Sequence, residues 1–224
     1  MFTLEEVAGK IEQTLLKPTA GKKDYQSLVE TAKKYGFKAV CVPSYYVPFC
    51  VEQLSDSAVQ VVSVVGFPLG TCLTEVKIYE AQRAFLSGAR GVDVVINMGA
   101  LKAGSDQAVL KDLQGVVKEA AKFMDKEVKV IIETGLLTEE EIKRACALVI
   151  KAGADYVKTS TGFNCRGAVL EDLYLIKALV GETVKIKASG GISTWAEAHE
   201  FLKAGANCLG TSNGVRIIEE FLAK

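Results

Sequence analysis

Lys151-Ala152-Gly153-Ala154-Asp155-Tyr156-Val157 closes a helix and opens a strand. Upstream, Thr138 and Glu141 have the spacing of a capping box, and Ile142, Ala145 and Val149 recur at helical intervals, which predicts a helix over 138–152. Gly153 stands where a left-handed residue ends such a helix. Downstream, residues 155–160 read as a strand. The same junction recurs as Lys34-Tyr35-Gly36-Phe37-Lys38-Ala39-Val40, as Ser87-Gly88-Ala89-Arg90-Gly91-Val92-Asp93-Val94-Val95, and as Lys203-Ala204-Gly205-Ala206-Asn207-Cys208-Leu209.

Working outward from these junctions gives strands at 11–16, 37–42, 59–65, 92–97, 127–133, 155–160, 183–189 and 206–211, with helical patterns between them. Strands that alternate with helices pair in parallel through crossovers. Eight units in this length average about 28 residues each, which fits a single-domain TIM (β/α)8 barrel spanning residues 1–224. The alternative is an open doubly wound sheet. It normally has fewer strands and a glycine-rich first turn, whereas the first turn here, Leu16-Lys17-Pro18-Thr19-Ala20-Gly21, has no GxGxxG.

Composition narrows the function. The chain has 224 residues, and 27 basic side chains balance 27 acidic ones. Nothing in that balance attracts nucleic acid or an anionic membrane. No apolar run approaches the ~18 residues of a membrane span. The N-terminus, Met1-Phe2-Thr3-Leu4-Glu5-Glu6, lacks the basic-then-apolar order of a signal peptide, so a cytoplasmic protein is expected. The single histidine, His199, would have to carry any Ser-His-Asp machine alone, and a zinc site of several imidazoles cannot be built within one chain. His199 lies in Trp195-Ala196-Glu197-Ala198-His199-Glu200 and reads as a surface or packing residue on an outer helix. The six cysteines, at 41, 50, 72, 146, 165 and 208, contain no CxxC and read as free thiols in a reducing cytosol.

Strand parity turns the fold into a site. Successive strand residues face opposite sides. The mainly apolar faces (Val92, Val94, Ile96; Val128, Val130, Ile132; Val157, Thr159; Val184, Ile186, Ala188) must pack on the outer helices. The opposite faces then point Asp93, Lys129, Glu133, Lys158, Lys185 and Lys187 into the barrel. Burying so many charges is costly unless they are paired or wet. Lys129 and Lys185 read as salt-bridge partners. Lys158 and Lys187 lie near the C-terminal strand ends, where barrel enzymes carry their chemistry.

A lysine attacks a carbonyl only as the free amine, and a second cation nearby disfavours the charged form. Lys187 beside Lys158 supplies that cation. The resulting iminium is an electron sink that lets an adjacent C–C bond form or break, and Asp93 can shuttle the protons. This is Schiff-base aldolase chemistry, which needs neither metal nor cofactor. Two small-residue turns follow strands seven and eight: Ala188-Ser189-Gly190-Gly191-Ile192 and Gly210-Thr211-Ser212-Asn213-Gly214-Val215. In barrels these loops commonly hold a phosphate, so Gly190, Gly191, Gly210, Thr211 and Ser212 are phosphate-site candidates, with Thr161 and Gly162 adding donors from the loop after strand six. Cys41 shares the inward face of strand two with Ala39 and is a pocket candidate.

Asp155-Tyr156-Val157-Lys158-Thr159-Ser160-Thr161-Gly162-Phe163 closely resembles the deoxyribose-phosphate aldolase family. The likeness extends through Thr14-Leu15-Leu16-Lys17-Pro18, Val40-Cys41-Val42-Pro43, Gly66-Phe67-Pro68-Leu69-Gly70, Val92-Asp93-Val94-Val95-Ile96-Asn97 and Val184-Lys185-Ile186-Lys187-Ala188-Ser189-Gly190-Gly191. It implies reversible cleavage of 2-deoxy-D-ribose 5-phosphate to D-glyceraldehyde 3-phosphate and acetaldehyde. It also implies a Schiff-base lysine at Lys158, a second lysine at Lys187 and a proton-transferring aspartate at Asp93. The expected partners are a small phosphorylated sugar and further copies of the chain, as a dimer or tetramer.

Three features depart from the family. Glu12 and Gln13 precede Thr14 where Asp and often His are usual, so Glu12 and Thr14 are pocket candidates in a rearranged site. Arg166 stands in the loop Phe163-Asn164-Cys165-Arg166-Gly167 where small residues are common, and reads as solvent-exposed. The C-terminal Phe221-Leu222-Ala223-Lys224 lacks the tail tyrosine of some members.

Overall fold

Eight parallel strands close on themselves in sequence order in the computed structural model, which describes residues 2–164 and 166–224. They are β1 (Ile11–Thr14), β2 (Ala39–Val42), β3 (Gln60–Val65), β4 (Gly91–Val95), β5 (Glu127–Ile131), β6 (Tyr156–Lys158), β7 (Lys185–Ser189) and β8 (Cys208–Thr211). The barrel is sealed where β8 meets β1, with Gln13 in register with Thr211. The helices are α1 (Leu4–Ala8), α2 (Lys22–Tyr35), α3 (Val47–Gln53), α4 (Thr74–Leu86), α5 (Met98–Lys102), α6 (Asp106–Ala120), α7 (Glu139–Ala152), α8 (Leu170–Val180), α9 (Trp195–Lys203) and α10 (Gly214–Leu222). No helix among the described residues is long and apolar enough to cross a membrane. The chain is a single-domain TIM barrel.

The repeated junction behaves as its sequence dictates. Gly36, Gly88, Gly153 and Gly205 all take positive φ after their helices. Thr138 caps α7 by accepting the Glu141 amide, and Glu141 answers with a complete capping box. Four strands stop short of their expected ends, β4 among them at Val95. After Ile131 the chain turns through Glu133 at φ 55°. After Lys158 the Thr159 hydroxyl bonds to Ser189 O instead of continuing the run. β1 stops at Thr14.

The barrel wall separates two interiors. Outside it, Val92, Val94, Val128, Val130, Val157 and Ile186 pack with Ala81, Leu113, Val149 and Ile176 from the surrounding helices. Each fully buried aliphatic contributes about 1.5–3 kcal/mol, so this layer supplies most of the apolar stabilisation. Inside, Ala39, Cys41, Val62 and Val64 form a small apolar wall from β2 and β3. Opposite that wall stand Glu12, Asp93, Lys129, Lys158 and Lys187, all buried. Parity therefore placed Asp93, Lys129, Lys158 and Lys187 where they are found. Lys185, at the exposed N-terminal end of β7, also turns to the inward side, its amine 5.3 Å from the centroid of the buried Tyr156 ring that Lys129 faces, but it pairs with no carboxylate among the described residues. Parity misplaced one residue. Glu133 lies beyond the end of β5, where the left-handed turn has already broken the alternation.

Candidate active site

β4, β6 and β7 bring three side chains onto one oxygen. Lys158 Nζ donates to Asp93 Oδ2 at 2.8 Å, and Lys187 Nζ donates to the same oxygen at 2.6 Å. Lys187 also donates to Glu12 from β1. Below them Lys129 Nζ lies 3.4 Å from Glu12 and 3.7 Å from Asp93, and Lys38 lies 3.6 Å from Glu12. Lys187 is therefore not a bare cation beside Lys158, as the sequence suggested. Asp93 bridges the two amines, because neighbouring parallel strands aim both at one carboxylate.

The cluster fixes its own charges. Burial opposes ionisation of Asp93, but Lys158, Lys187 and Lys129 outweigh it and hold the carboxyl far below its usual range. Burial likewise opposes ionisation of Glu12, but Lys129 and Lys187 bring it down to about 2. Burial acts against the charged Lys187, yet Asp93 and Glu12 raise it well above an ordinary lysine. Glu12 and Asp93, with Glu127 3.7 Å from Lys129 and 3.8 Å from Lys38, thus stand against Lys38, Lys129 and Lys187, and these six charges cancel. Lys158 is the remaining amine of the group.

Lys158 also forms the floor of a cavity of about 300 Å³ at the C-terminal mouth, lined by Thr14, Thr161, Gly162, Ser189–Ile192 and Gly210–Asn213 among others. The structure thus brings Lys158, Thr14 and all seven phosphate-site candidates into one cavity. Glu12 and Cys41, read as pocket candidates, are wholly buried in the barrel interior and do not line this mouth. Cys41 Sγ lies 3.8 Å from Asp93 Oδ2; burial, with Asp93 adding to it, pushes its thiol up to about 11.

The donors facing the cavity differ from those expected. Thr161 directs its hydroxyl and its amide to Glu133. Thr211 directs its hydroxyl to Ile192 O at 2.6 Å. Both threonines therefore brace their loops. The amides of Gly162, Gly190 and Gly191 have no hydrogen-bond partner among the described residues. Gly190 and Gly191 both take positive φ, a backbone that glycine adopts without a Cβ penalty.

Three residues that brace the mouth escaped the sequence reading. Gln13 clamps the β8 loop, donating to Ser212 O at 3.0 Å and accepting the Gly214 amide at 2.9 Å. Its departure from the usual residue thus has a structural use. Glu133 clamps the β6 loop. Gly167 packs against the Gly190 backbone so closely that a Cβ would fall 2.1 Å from Gly190 O. No local pattern signals these contacts, although the left-handed Glu133 is the kind of strained residue that clusters at functional sites. Arg166 pairs with Asp172 at 2.6 Å and holds α8. His199 packs edge-on against Phe2, as an outer-helix residue should. Cys165 lies outside the described residues; the other five cysteines are free thiols.

An eight-stranded parallel barrel with a cavity over buried charge at the C-terminal mouth is an enzyme of the (β/α)8 class. The chain belongs to the DeoC/LacD family of aldolases, which matches residues 12–217. It is accordingly an aldolase, a carbon–carbon lyase. It is 50% identical over 220 residues to the deoxyribose-phosphate aldolase of Carboxydothermus hydrogenoformans, covering 98% of this chain and 96% of that one. Among solved structures, the aldolase QR15 superposes with a TM-score of 0.92 at 40% identity, covering 97% of this chain and 96% of that one. The tetrameric deoxyribose phosphate aldolase of Aeropyrum pernix does so with a TM-score of 0.92 at 34% identity, covering 99% and 93%.

Proposed function

We propose that the chain reversibly cleaves 2-deoxy-D-ribose 5-phosphate to D-glyceraldehyde 3-phosphate and acetaldehyde through a Schiff base on Lys158. The observation that carries this reading is the position of Lys158: its amine is the cavity floor and touches Asp93, which also holds Lys187. The free amine of Lys158 attacks C1 of the open-chain sugar. The carbinolamine loses water to give the iminium. The C3 hydroxyl then gives up its proton, the C2–C3 electron pair moves into the iminium, and the three-carbon aldehyde departs. Protonation of the remaining enamine at C2 and hydrolysis release acetaldehyde and return the amine.

The residues divide this work. Lys38, Lys129 and Lys187 already balance Glu12, Asp93 and Glu127, so a further ammonium at Lys158 adds one uncompensated charge to a buried cluster. That count supports Lys158 as the amine that reacts. Asp93, within hydrogen-bond reach of Lys158, is placed to pass protons to and from the carbinolamine and enamine. Lys187, held cationic by two carboxylates, fixes Asp93. The free amides of Gly162, Gly190 and Gly191, together with Gly210 and Ser212, suit the phosphate. The tetrameric relative supports assembly as a homo-oligomer, a dimer or tetramer, which light scattering tests. Five free thiols, four of them buried, fit the reducing cytoplasm.

Borohydride with acetaldehyde tests the chemistry. Lys158 should gain one ethyl group by peptide mass, and Lys158→Leu should gain none. An unlabelled Lys158, or label on another lysine, would end the proposal. Deoxyribose 5-phosphate should also greatly outrun ribose 5-phosphate.

A further inference from the structure

Glu133 has two properties that the reaction does not explain. It is one of two described non-glycine residues at positive φ, with φ 55° and ψ 60°. The other, Asp125, has an exposed side chain, whereas Glu133 is 1% exposed. A left-handed glutamate is strained and persists only where its surroundings hold it. Its carboxylate has no lysine or arginine partner among the described residues. It accepts instead from the Thr161 amide at 3.1 Å, from the Thr161 hydroxyl, and from Asn164 Nδ2 at 2.8 Å. A buried anion is therefore satisfied entirely by one loop. The Thr161 oxygen in turn accepts the Phe163 amide at 3.1 Å, so the clamp brackets Gly162 from both sides.

We propose that Glu133 is a positioning residue that confers phosphate specificity. It holds residues 161–164 so that the unpaired Gly162 amide faces the cavity beside Gly190 and Gly191. The inference deepens the proposed function and rests on it for the site, but Glu133 makes no hydrogen bond to Lys158 or Asp93 and acts only through the loop. Glutamine in its place offers the same shape with one acceptor fewer, and sets an N–H₂ group against the Thr161 and Asn164 donors. The loop then loses charge-assisted bonds and its fixed geometry.

The test separates phosphate binding from imine formation. Titration with inorganic phosphate, followed by calorimetry, should show Glu133→Gln binding about tenfold more weakly than wild type, the cost of roughly one such hydrogen bond. Borohydride trapping of acetaldehyde on the same variant should stay within about twofold, since loss of one brace leaves the amine and Asp93 in place. With deoxyribose 5-phosphate the KM should rise while kcat holds, and turnover of unphosphorylated deoxyribose should not change. Thr161→Ala removes the hydroxyl from the other side of the clamp. It should weaken phosphate in the same selective way, so a Glu133→Gln chain that fails to fold does not shelter the idea. Unchanged phosphate affinity in the folded variants overturns the proposal, as does an equal loss of phosphate binding and trapping. Absent trapping in the wild-type enzyme would instead overturn the aldolase mechanism and leave the phosphate result to stand alone.

Discussion

Of the four lysines buried against carboxylates among the described residues, Lys77 and Lys158 have opposite consequences. Lys77 on α4 is wholly buried outside the barrel, donating to Asp112 of α6 and, at 2.9 Å, to Val95 O at the end of β4. One cation meets one anion there, and Lys77 does not line the cavity at the barrel mouth. Lys158 is nearly as buried, but its carboxylate is already shared with Lys187 and flanked by Lys129, and a cavity opens above it. Burial of a lysine is thus not the mark of chemistry. An unbalanced count of charges beside an open space is.

The sharpest way to break this comparison is to remove each lysine in turn. Lys158→Leu should abolish turnover of deoxyribose phosphate while leaving thermal stability unchanged or slightly raised, because the charges left behind cancel. Lys77→Met should do the reverse. It strands Asp112 and costs about 3–5 kcal/mol in denaturant unfolding, with imine trapping per folded molecule preserved. If Lys158→Leu is strongly destabilised, the charge count is wrong. If Lys77→Met loses trapping, the pair outside the barrel takes part in the site.

Asp93→Asn sharpens it next. Turnover should fall by roughly 10²–10⁴-fold, as expected for a lost proton-transfer group. It should also lower stability, since Lys129, Lys158 and Lys187 would then lose the carboxylate they share. A normal rate would remove Asp93 from the mechanism.

The smallest effect is on pH. Glu12 is depressed from 4.5 to about 2 on folding, so its contribution to stability is complete above about pH 4.5 and is lost as pH falls towards 2. Asp93, also depressed, adds to the same limb. Urea melts of wild type should be flat from about pH 7 to 5 and fall below that. Glu12→Gln should flatten part of the fall, and an unchanged acid limb would place Glu12 outside the ion cluster.

The polar side of the barrel interior was readable because β4, β6 and β7 alternate cleanly: Asp93, Lys158 and Lys187 sit on the polar face of otherwise apolar runs. Reading failed where the alternation stopped. Glu133 was carried into the interior by counting in twos past a strand that had ended. Thr161 and Thr211 were taken as phosphate donors because their types and loops were right, yet their hydroxyls donate to Glu133 after β5 and to Ile192 O after β7. A hydroxyl rotates to whichever acceptor is nearest, and sequence does not record what is nearest.

By itself the sequence determined the eightfold succession of helix, glycine and strand and the side of each strand that carries charge. Both follow from backbone geometry over a few residues: a left-handed residue ends a helix, and a strand repeats every two. Closure of the barrel decided the rest. It set Gln13 on Gly214, 201 residues away, two amines on one Asp93 oxygen, and Glu133 beneath the loop of Gly162. Those contacts depend on distances between strands, and such distances exist only once β8 has met β1.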